Sequence, residues 1–477
     1  VGISRSEWSD RAARDFRVLS HLFFFKGNNM SSCLKIGRWL VLAAGLIAAG
    51  GAFGPAVAYK LKVLHAFCAS GPCSDGRLPA GAPVPDGHGN LFGVTTDGGN
   101  DQDAGTIYEL TPKKRGKWTF HTVHVFCTQA ACADGGFPVG GLIADTQGNL
   151  YGTTHSGGAH NGGMAFMFTP KSKSGGTFKV LYDFCAQTNC TDGVAGKSRL
   201  TYAGDAAGAP YDGVSPLYGS SVGGGGYGTV YQLVPGKPWK ESVLYTFCPA
   251  DNCACGDFPQ NLIEDANGNL FGEAQPPGGF DNPNLGTVFE LSPTGGGSWT
   301  ETTLFQFCPG NSHCPDGVPG TGPMVVDASG HLLDVGPSGG SSSVCPFGSG
   351  GCGDLFEVTP NGVNSTLSVL YGFCEKADCK DGLFPAGLTL DHATASIFGV
   401  TGEGGGNDGD PMGEGGGTIF RIVNGKPKVL HAFCAQQGCT DGAYPNSGLT
   451  VDASGAVFGT TSEGGGGSGG TVFELVP

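Results

Sequence analysis

Charge is scarce in this chain. Asp, Glu, Lys and Arg make up only 14% of its 477 residues, and 26 basic residues stand against 41 acidic ones. The shortage of positive charge excludes nucleic acid as a partner, because a net acidic surface repels phosphate backbones. Long apolar runs are equally rare. The uncharged stretch Trp39 to Ala58 alone approaches the ~20 residues of a membrane helix, so no membrane span is expected beyond it. Helical periodicity is missing, which excludes a helical fold. Catalytic signatures are missing too: there is no H-E-x-x-H, no G-x-S-x-G, no EF-type loop and no G-x-x-x-x-G-K-[ST]. Of 11 His, only His155 and His160 share a loop. No catalytic residue, metal or cofactor is expected on these grounds.

Glycine is abundant, with 88 Gly and 30 Pro, yet 39% of residues are hydrophobic and 10% aromatic. That is enough apolar material for a large core, with Gly punctuating short apolar segments as in turn-rich all-β proteins. The N-terminal region reads differently. From Met30 the order is Lys35 and Arg38, the apolar stretch from Trp39 to Gly54, then Ala56-Val57-Ala58. This is a basic region, an apolar region and an A-x-A cleavage site, the layout of a secretory signal peptide. Residues 1–29 read as an over-annotated leader, 30–58 as the signal peptide, and 59–477 as one mature domain. An uncleaved anchor is the alternative. Without the first 58 residues the chain keeps 19 basic and 38 acidic residues, a net charge of −19.

Repetition dominates the remainder. Each unit opens with an apolar segment ending in Phe-Cys, and the first cysteines are Cys68, Cys127, Cys185, Cys248, Cys308, Cys374 and Cys434, on average 61 residues apart. Within the second unit, Thr122 to Phe126, Gly141 to Asp145, Leu150 to Thr154 and Ala165 to Phe168 are β-rich runs bounded by Gly, Asn, Asp or Pro. Four strands in each of seven equal units predict a seven-bladed β-propeller with antiparallel blades; a β-sandwich accommodates the repetition less well. The first unit begins with the strand Leu61 to Phe67, and the last ends with Gly470 to Leu475. The last blade therefore lacks one strand, which the N-terminal segment is expected to supply, closing the ring.

Stretches such as Asn149-Leu150-Tyr151-Gly152-Thr153-Thr154 and Gly286-Thr287-Val288-Phe289-Glu290-Leu291 resemble the GloVer (Gloeobacter–Verrucomicrobia) repeat of bacterial extracellular proteins. The resemblance spans Lys60 to Pro477. It implies an exported, propeller-like protein and no particular substrate.

Cys33 falls within the signal segment. Fourteen of the other 17 cysteines form one pair per unit: Cys68/Cys73, Cys127/Cys132, Cys185/Cys190, Cys248/Cys253, Cys308/Cys314, Cys374/Cys379 and Cys434/Cys439. In an oxidising compartment these read as disulfides; a zinc site needs four ligands, and no His or Cys partner recurs in the unit. Cys345 and Cys352 are expected to form an eighth bridge, and Cys255 is left odd.

Propeller topology places the Cys loops and the Gly-rich loops on one face and the short D-x-x-G-N turns on the other. Asp75, Asp134, Asp192, Asp316, Asp381 and Asp441 recur in the Cys loops and are the ligand-face candidates. Against a role in cation binding stands a simpler one, an Asp-Gly turn with the carboxylate bonded to its own loop. The expected function is a secreted, non-catalytic binding module, monomeric, extracellular or periplasmic, whose unknown ligand is a glycan, a protein or a cation. The alternatives are a hydrolase or lyase acting on an extracellular polymer, and a structural envelope or matrix protein.

Overall fold

The computed structural model describes residues 59–477, except 70, 172–174, 197, 224–226, 248–256, 276–285, 309–315, 341–344, 346–350 and 407–414. Seven antiparallel sheets follow one another along the chain. Blade 1 consists of Arg77–Pro85, Leu91–Asp97, Thr106–Lys113 and Lys117–Val125, hydrogen-bonded in that order. Blades 2 to 6 repeat the order over residues 136–183, 194–246, 257–306, 325–372 and 383–432. Blade 7 takes Thr450–Val451, Val457–Thr461 and Thr471–Val476 from one end of the chain and Lys60–Ala66 from the other. Lys60 pairs with Val476 and Ala66 with Thr471, so the ring closes through strand pairing as the repeat phase predicts. Closure removes the exposed edge that the last blade would otherwise present. No helix among the described residues is long and apolar enough to cross a membrane.

The core lies between blades. Seven separate apolar clusters fill the seven junctions, each drawn from two consecutive blades. The closing junction packs Phe67, Ala456, Phe458 and Val472 of blade 7 against Leu91, Tyr108 and Leu110 of blade 1. Both faces of each sheet are thus buried, which explains strands that read as continuous apolar runs rather than alternating ones.

The first strand of each blade lies innermost, where neighbouring backbones touch. A Cβ on Gly81 would fall 2.8 Å from Gly141 Cα, and one on Gly140 would fall 2.4 Å from the Ser198 carbonyl oxygen. Leu388 N–H donates to Pro323 O at 3.0 Å, and Thr389 Oγ1 donates to Leu449 O at 2.9 Å. This crowding interrupts the inner strand: in blade 2 it splits into Gly136–Pro138 and Ile143–Ala144 around Gly140 and Gly141.

One junction recurs seven times. The Phe before each first cysteine (Phe67, Phe126, Phe184, Phe247, Phe307, Phe373, Phe433) is fully buried. Its N–H donates to the carbonyl of a Gly at the start of the third strand: Gly470, Gly105, Gly163, Gly228, Gly286, Gly353 and Gly417 respectively. Gly105 has φ 93°, and a Cβ there would fall 2.2 Å from the Thr95 carbonyl oxygen. No other residue fits that position.

Candidate functional site

The outer strand of every blade carries a β-bulge at one equivalent place. The residues left without a ladder partner are Leu64, Val123, Leu181, Leu244, Leu304, Leu370 and Leu430. Each belongs to, or packs against, an inter-blade cluster. A bulge shifts the alternation of side chains by one. The residue after it (His65, His124, Tyr182, Tyr245, Phe305, Tyr371 or His431) sits ten or eleven residues before the position of the loop Asp, or of Cys255 in the fourth unit.

Four of those side chains bond the Asp directly. His65 Nε2 lies 2.9 Å from Asp75 Oδ2, and His431 Nε2 lies 2.9 Å from Asp441 Oδ2. Tyr182 and Tyr371 donate their hydroxyls to Asp192 and Asp381 at 2.8 and 2.6 Å. Burial lowers the His65 pKa, against the opposing pull of Asp75. In blade 1 the equivalent His124 stacks on Phe178 at 4.5 Å, with Nε2 buried and unpartnered. Burial pushes its pKa down to about 4, against the raising influence of Asp134.

The carboxylates also hold their own loops. Asp134 accepts from Thr128 N–H, Thr128 Oγ1 and Gln129 N–H at 3.0, 2.6 and 3.2 Å. Asp192 accepts from Ala186 and Gln187 N–H, and Asp381 from Glu375 and Lys376 N–H. These three are buried, at 0–1% exposure. Asp75 and Asp441 accept from Cys68 and Cys434 N–H and keep 26% and 22% of the side chain exposed. Asp316 is half-buried. The structure thus separates the six: Asp134, Asp192 and Asp381 are interior loop clamps, whereas Asp75 and Asp441 also reach solvent.

Disulfides close the same loops. Bridges join Cys68–Cys73, Cys127–Cys132, Cys185–Cys190, Cys374–Cys379 and Cys434–Cys439, with Cα atoms 4.0–4.4 Å apart. Cys345–Cys352 forms the additional bridge. Cys308 is disulfide-bonded, while Cys314, Cys248, Cys253 and Cys255 lie outside the described residues. Each ring of six residues contributes about 2 kcal/mol by loop-closure entropy. The Gly-rich loops lie against these rings: Gly99, Gly158, Gly405 and Gly465 N–H donate to the carbonyls of Cys73, Cys132, Cys379 and Cys439. Both loop types therefore meet on one stiffened face. Among the described residues, Tyr227 and Phe258 are large exposed apolar side chains on it, at 42% and 37%.

Sequence reasoning missed a second acidic group. Glu273, Asp334 and Asp354 are buried at 0–1% exposure around the junction of blades 4 and 5. Asp334 occupies the place held by Gly in the other blades, such as Gly93, Gly152 and Gly399. Those glycines accommodate the ring of the third strand; a Cβ on Gly93 would fall 2.2 Å from Tyr108 Oη. Asp354 replaces the Thr that, in blades 1, 6 and 7, bonds a second Thr at 2.8–2.9 Å. Gly320 N–H and Asn261 Nδ2 donate to Glu273 at 2.7 and 3.0 Å. Burial raises the pKa of all three acids, and the proximity of Glu273 raises Asp334 further. The signal was readable: blade 5 reads Leu332-Leu333-Asp334-Val335-Gly336 and Gly353-Asp354-Leu355-Phe356, whereas the other six units keep Gly at the place of Asp334 and all of them but blade 2 keep Thr at the place of Asp354.

Comparison with known proteins adds the following. The chain resembles solved structures at low identity. A luciferin-regenerating enzyme is 9% identical, with a TM-score of 0.38, and the match covers 88% of this chain and 95% of that one. The calcium-binding protein regucalcin of Agrobacterium tumefaciens is 10% identical, with a TM-score of 0.36 and coverage of 86% and 93%. An extracellular domain of the hybrid two component system BT4673 from B. thetaiotaomicron is 9% identical, with a TM-score of 0.45; the match covers 86% of this chain and 39% of that one. No curated protein matches the chain in sequence. Residues 45–215 match the family described as the Gloeobacter/Verrucomicrobia repeat. That match supports the resemblance to this repeat family, and the four-stranded geometry of the matched units recurs in all seven blades.

Proposed function

We propose that this protein is an exported, non-catalytic binding module whose ligand docks on the face formed by the disulfide rings and the Gly-rich loops. The observation that carries the reading is the bracing of that face. Disulfide rings, buried Asp clamps and cross-loop backbone bonds hold a set of loops whose lengths differ from blade to blade. Variable loops on a rigid support are where binding sites concentrate, and pre-ordering them lowers the entropic cost of binding. The opposite face offers turns of a few residues, in which Asp145 and Asp265 are occupied by bonds to Asn149 and Asn269.

Disulfide density fits a location outside the cytoplasm, and a signal peptide over residues 30–58 would deliver the chain there. The net acidity disfavours anionic ligands and favours cationic or polyhydroxylated ones. Tyr227 and Phe258 supply flat apolar surfaces suited to the CH faces of sugar rings, while Asp75 and Asp441 offer accessible acceptors.

Screening the mature protein on glycan and peptide arrays identifies a ligand. Tyr227→Ala with Phe258→Ala should then weaken binding about tenfold or more without lowering the thermal midpoint. Asn267→Ala, an exposed residue of the opposite face, should leave binding unchanged. Loss of binding in Asn267→Ala with retention in the aromatic pair would place the ligand on the other face.

A further inference from the structure

Among the described residues, two groups of potential metal ligands come together: Cys352, Cys374 and Cys379, and Asp327, His331 and Glu357. The cysteines are already committed to disulfides. The second group is not committed, and it lies on the short-turn face, away from the surface proposed for ligand docking.

We propose that Asp327, His331 and Glu357 form a three-ligand site for a zinc-class divalent metal ion on blade 5. Asp327 opens the turn between the strands Val325–Val326 and Leu332–Gly336. Its Oδ1 accepts the N–H groups of Ser329 and His331 at 2.7 and 2.9 Å, which fixes the plane of the carboxylate. In blades 1, 2 and 4 the residue four positions on is Asn. Its side-chain amide satisfies the second Asp oxygen: Asn90 to Asp86 at 2.8 Å, Asn149 to Asp145 at 2.8 Å and Asn269 to Asp265 at 3.3 Å.

Blade 5 has His331 in that place. Its Nδ1 stands 3.6 Å from Asp327 Oδ2 and 3.5 Å from Glu357 Oε1. Both separations are too long for a hydrogen bond. They match the edges of a tetrahedron around zinc, about 3.4 Å for bonds of about 2.0–2.1 Å. Glu357 pairs with Leu333 across the ladder, one strand beyond the turn, which brings its carboxylate to the same place. All three ligand atoms lie within 4.8 Å of one another.

The donor set selects the ion. One imidazole nitrogen with two carboxylates suits zinc and its neighbours, whereas calcium takes six to eight oxygens. Two carboxylates balance the charge of a dication, and among the described residues neither forms an ion pair with Lys or Arg. The side chains are 27–32% exposed, so an ion has access from solvent. Three protein ligands leave a fourth position open to water or to a donor atom of a docked molecule.

The test uses the mature, oxidised protein, free of any affinity tag and stripped with a chelator. Titration calorimetry with Zn²⁺ at neutral pH should give one ion per chain, and Co²⁺ should give the visible absorption of a four-coordinate centre. His331→Asn restores the residue found in blades 1, 2 and 4 and so preserves the turn. It should weaken Zn²⁺ binding about 100-fold or more, as should Glu357→Gln. His431→Asn removes the His–Asp pair of the opposite face and should leave the titration unchanged. Failure of the wild type to bind Zn²⁺ at millimolar concentration overturns the proposal. So does retention of the one-ion stoichiometry and affinity in His331→Asn, or an equal loss in His431→Asn.

Discussion

Glu273 of blade 4 and Asp334 of blade 5 meet as a buried acid pair, in which burial raises both carboxyls and the proximity of Glu273 raises Asp334 further. Both carboxyls hold their protons above the ordinary range near pH 4. Above that range the native protein binds more protons than the unfolded chain, so the pair's contribution to stability is full in mild acid and is lost as pH rises. Asp334→Asn keeps the shape and an acceptor for Val335 N–H. Its thermal midpoint should exceed that of the wild type at pH 8 and approach it at pH 5. A gap between the two proteins that does not change with pH would refute the assignment.

His124 should act with the opposite sign. Its pKa is lowered to about 4, so between that value and the unfolded value near 6.5 the native state binds fewer protons. Stability from this residue is present above pH 6.5 and is lost as pH falls toward 4. Phe305 holds the equivalent position in blade 4, showing that a phenyl ring fits the site. His124→Phe should therefore raise the urea midpoint at pH 5 by more than at pH 8. The prediction fails if the gain is the same at both.

Ring closure rests on one pair of strands. Deleting Lys60–Ala66 strips Thr471–Val476 of its partner and opens the blade 7–blade 1 cluster. The variant should lose several kcal/mol of stability and associate in solution through the exposed edge. Deleting the seven residues 407–413, between the strands Ser396–Glu403 and Thr418–Val423, should cost under about 1 kcal/mol. Differential scanning calorimetry with light scattering distinguishes the outcomes, and equal midpoints for the two deletions would count against closure.

The buried clamps should matter in proportion to what they leave unpaired. Asp381→Ala strands the Tyr371 hydroxyl and two loop amides, a loss of roughly 2–4 kcal/mol. Tyr371→Phe removes one donor and should cost about 1 kcal/mol. Denaturant unfolding of both variants checks the ordering; a larger effect from Tyr371→Phe would show that the carboxylate is not the hub.

The seven blades, their four strands and the strand that closes the ring were legible because Phe-Cys and short apolar runs bounded by Gly recur at a fixed interval. The pairing of Cys374 with Cys379, or of Cys345 with Cys352, followed from spacing alone. The bulge at Leu64 was not read from the sequence: the adjacent Val63 and Leu64 are both apolar, which equally suits a strand buried on both faces. That slip is what aims His65 at Asp75. The buried acids escaped notice for a different reason. Asp recurs in every unit, and Asp334 is exceptional only in standing where the other blades need Gly beneath an aromatic ring. His331 was likewise hidden by a turn whose backbone is ordinary.

The pairing of Lys60–Ala66 with Thr471–Val476 also sets a clock on folding. The first strand of the propeller finds its partner in the last strand of the propeller, so no partial set of blades can close the circle. Until that meeting, the Leu91 and Tyr108 side of blade 1 lacks the blade 7 residues that cover it, and the emerging chain lacks the last of its seven cores. A propeller whose first and last strands must meet cannot complete its native state until the last of them has been made.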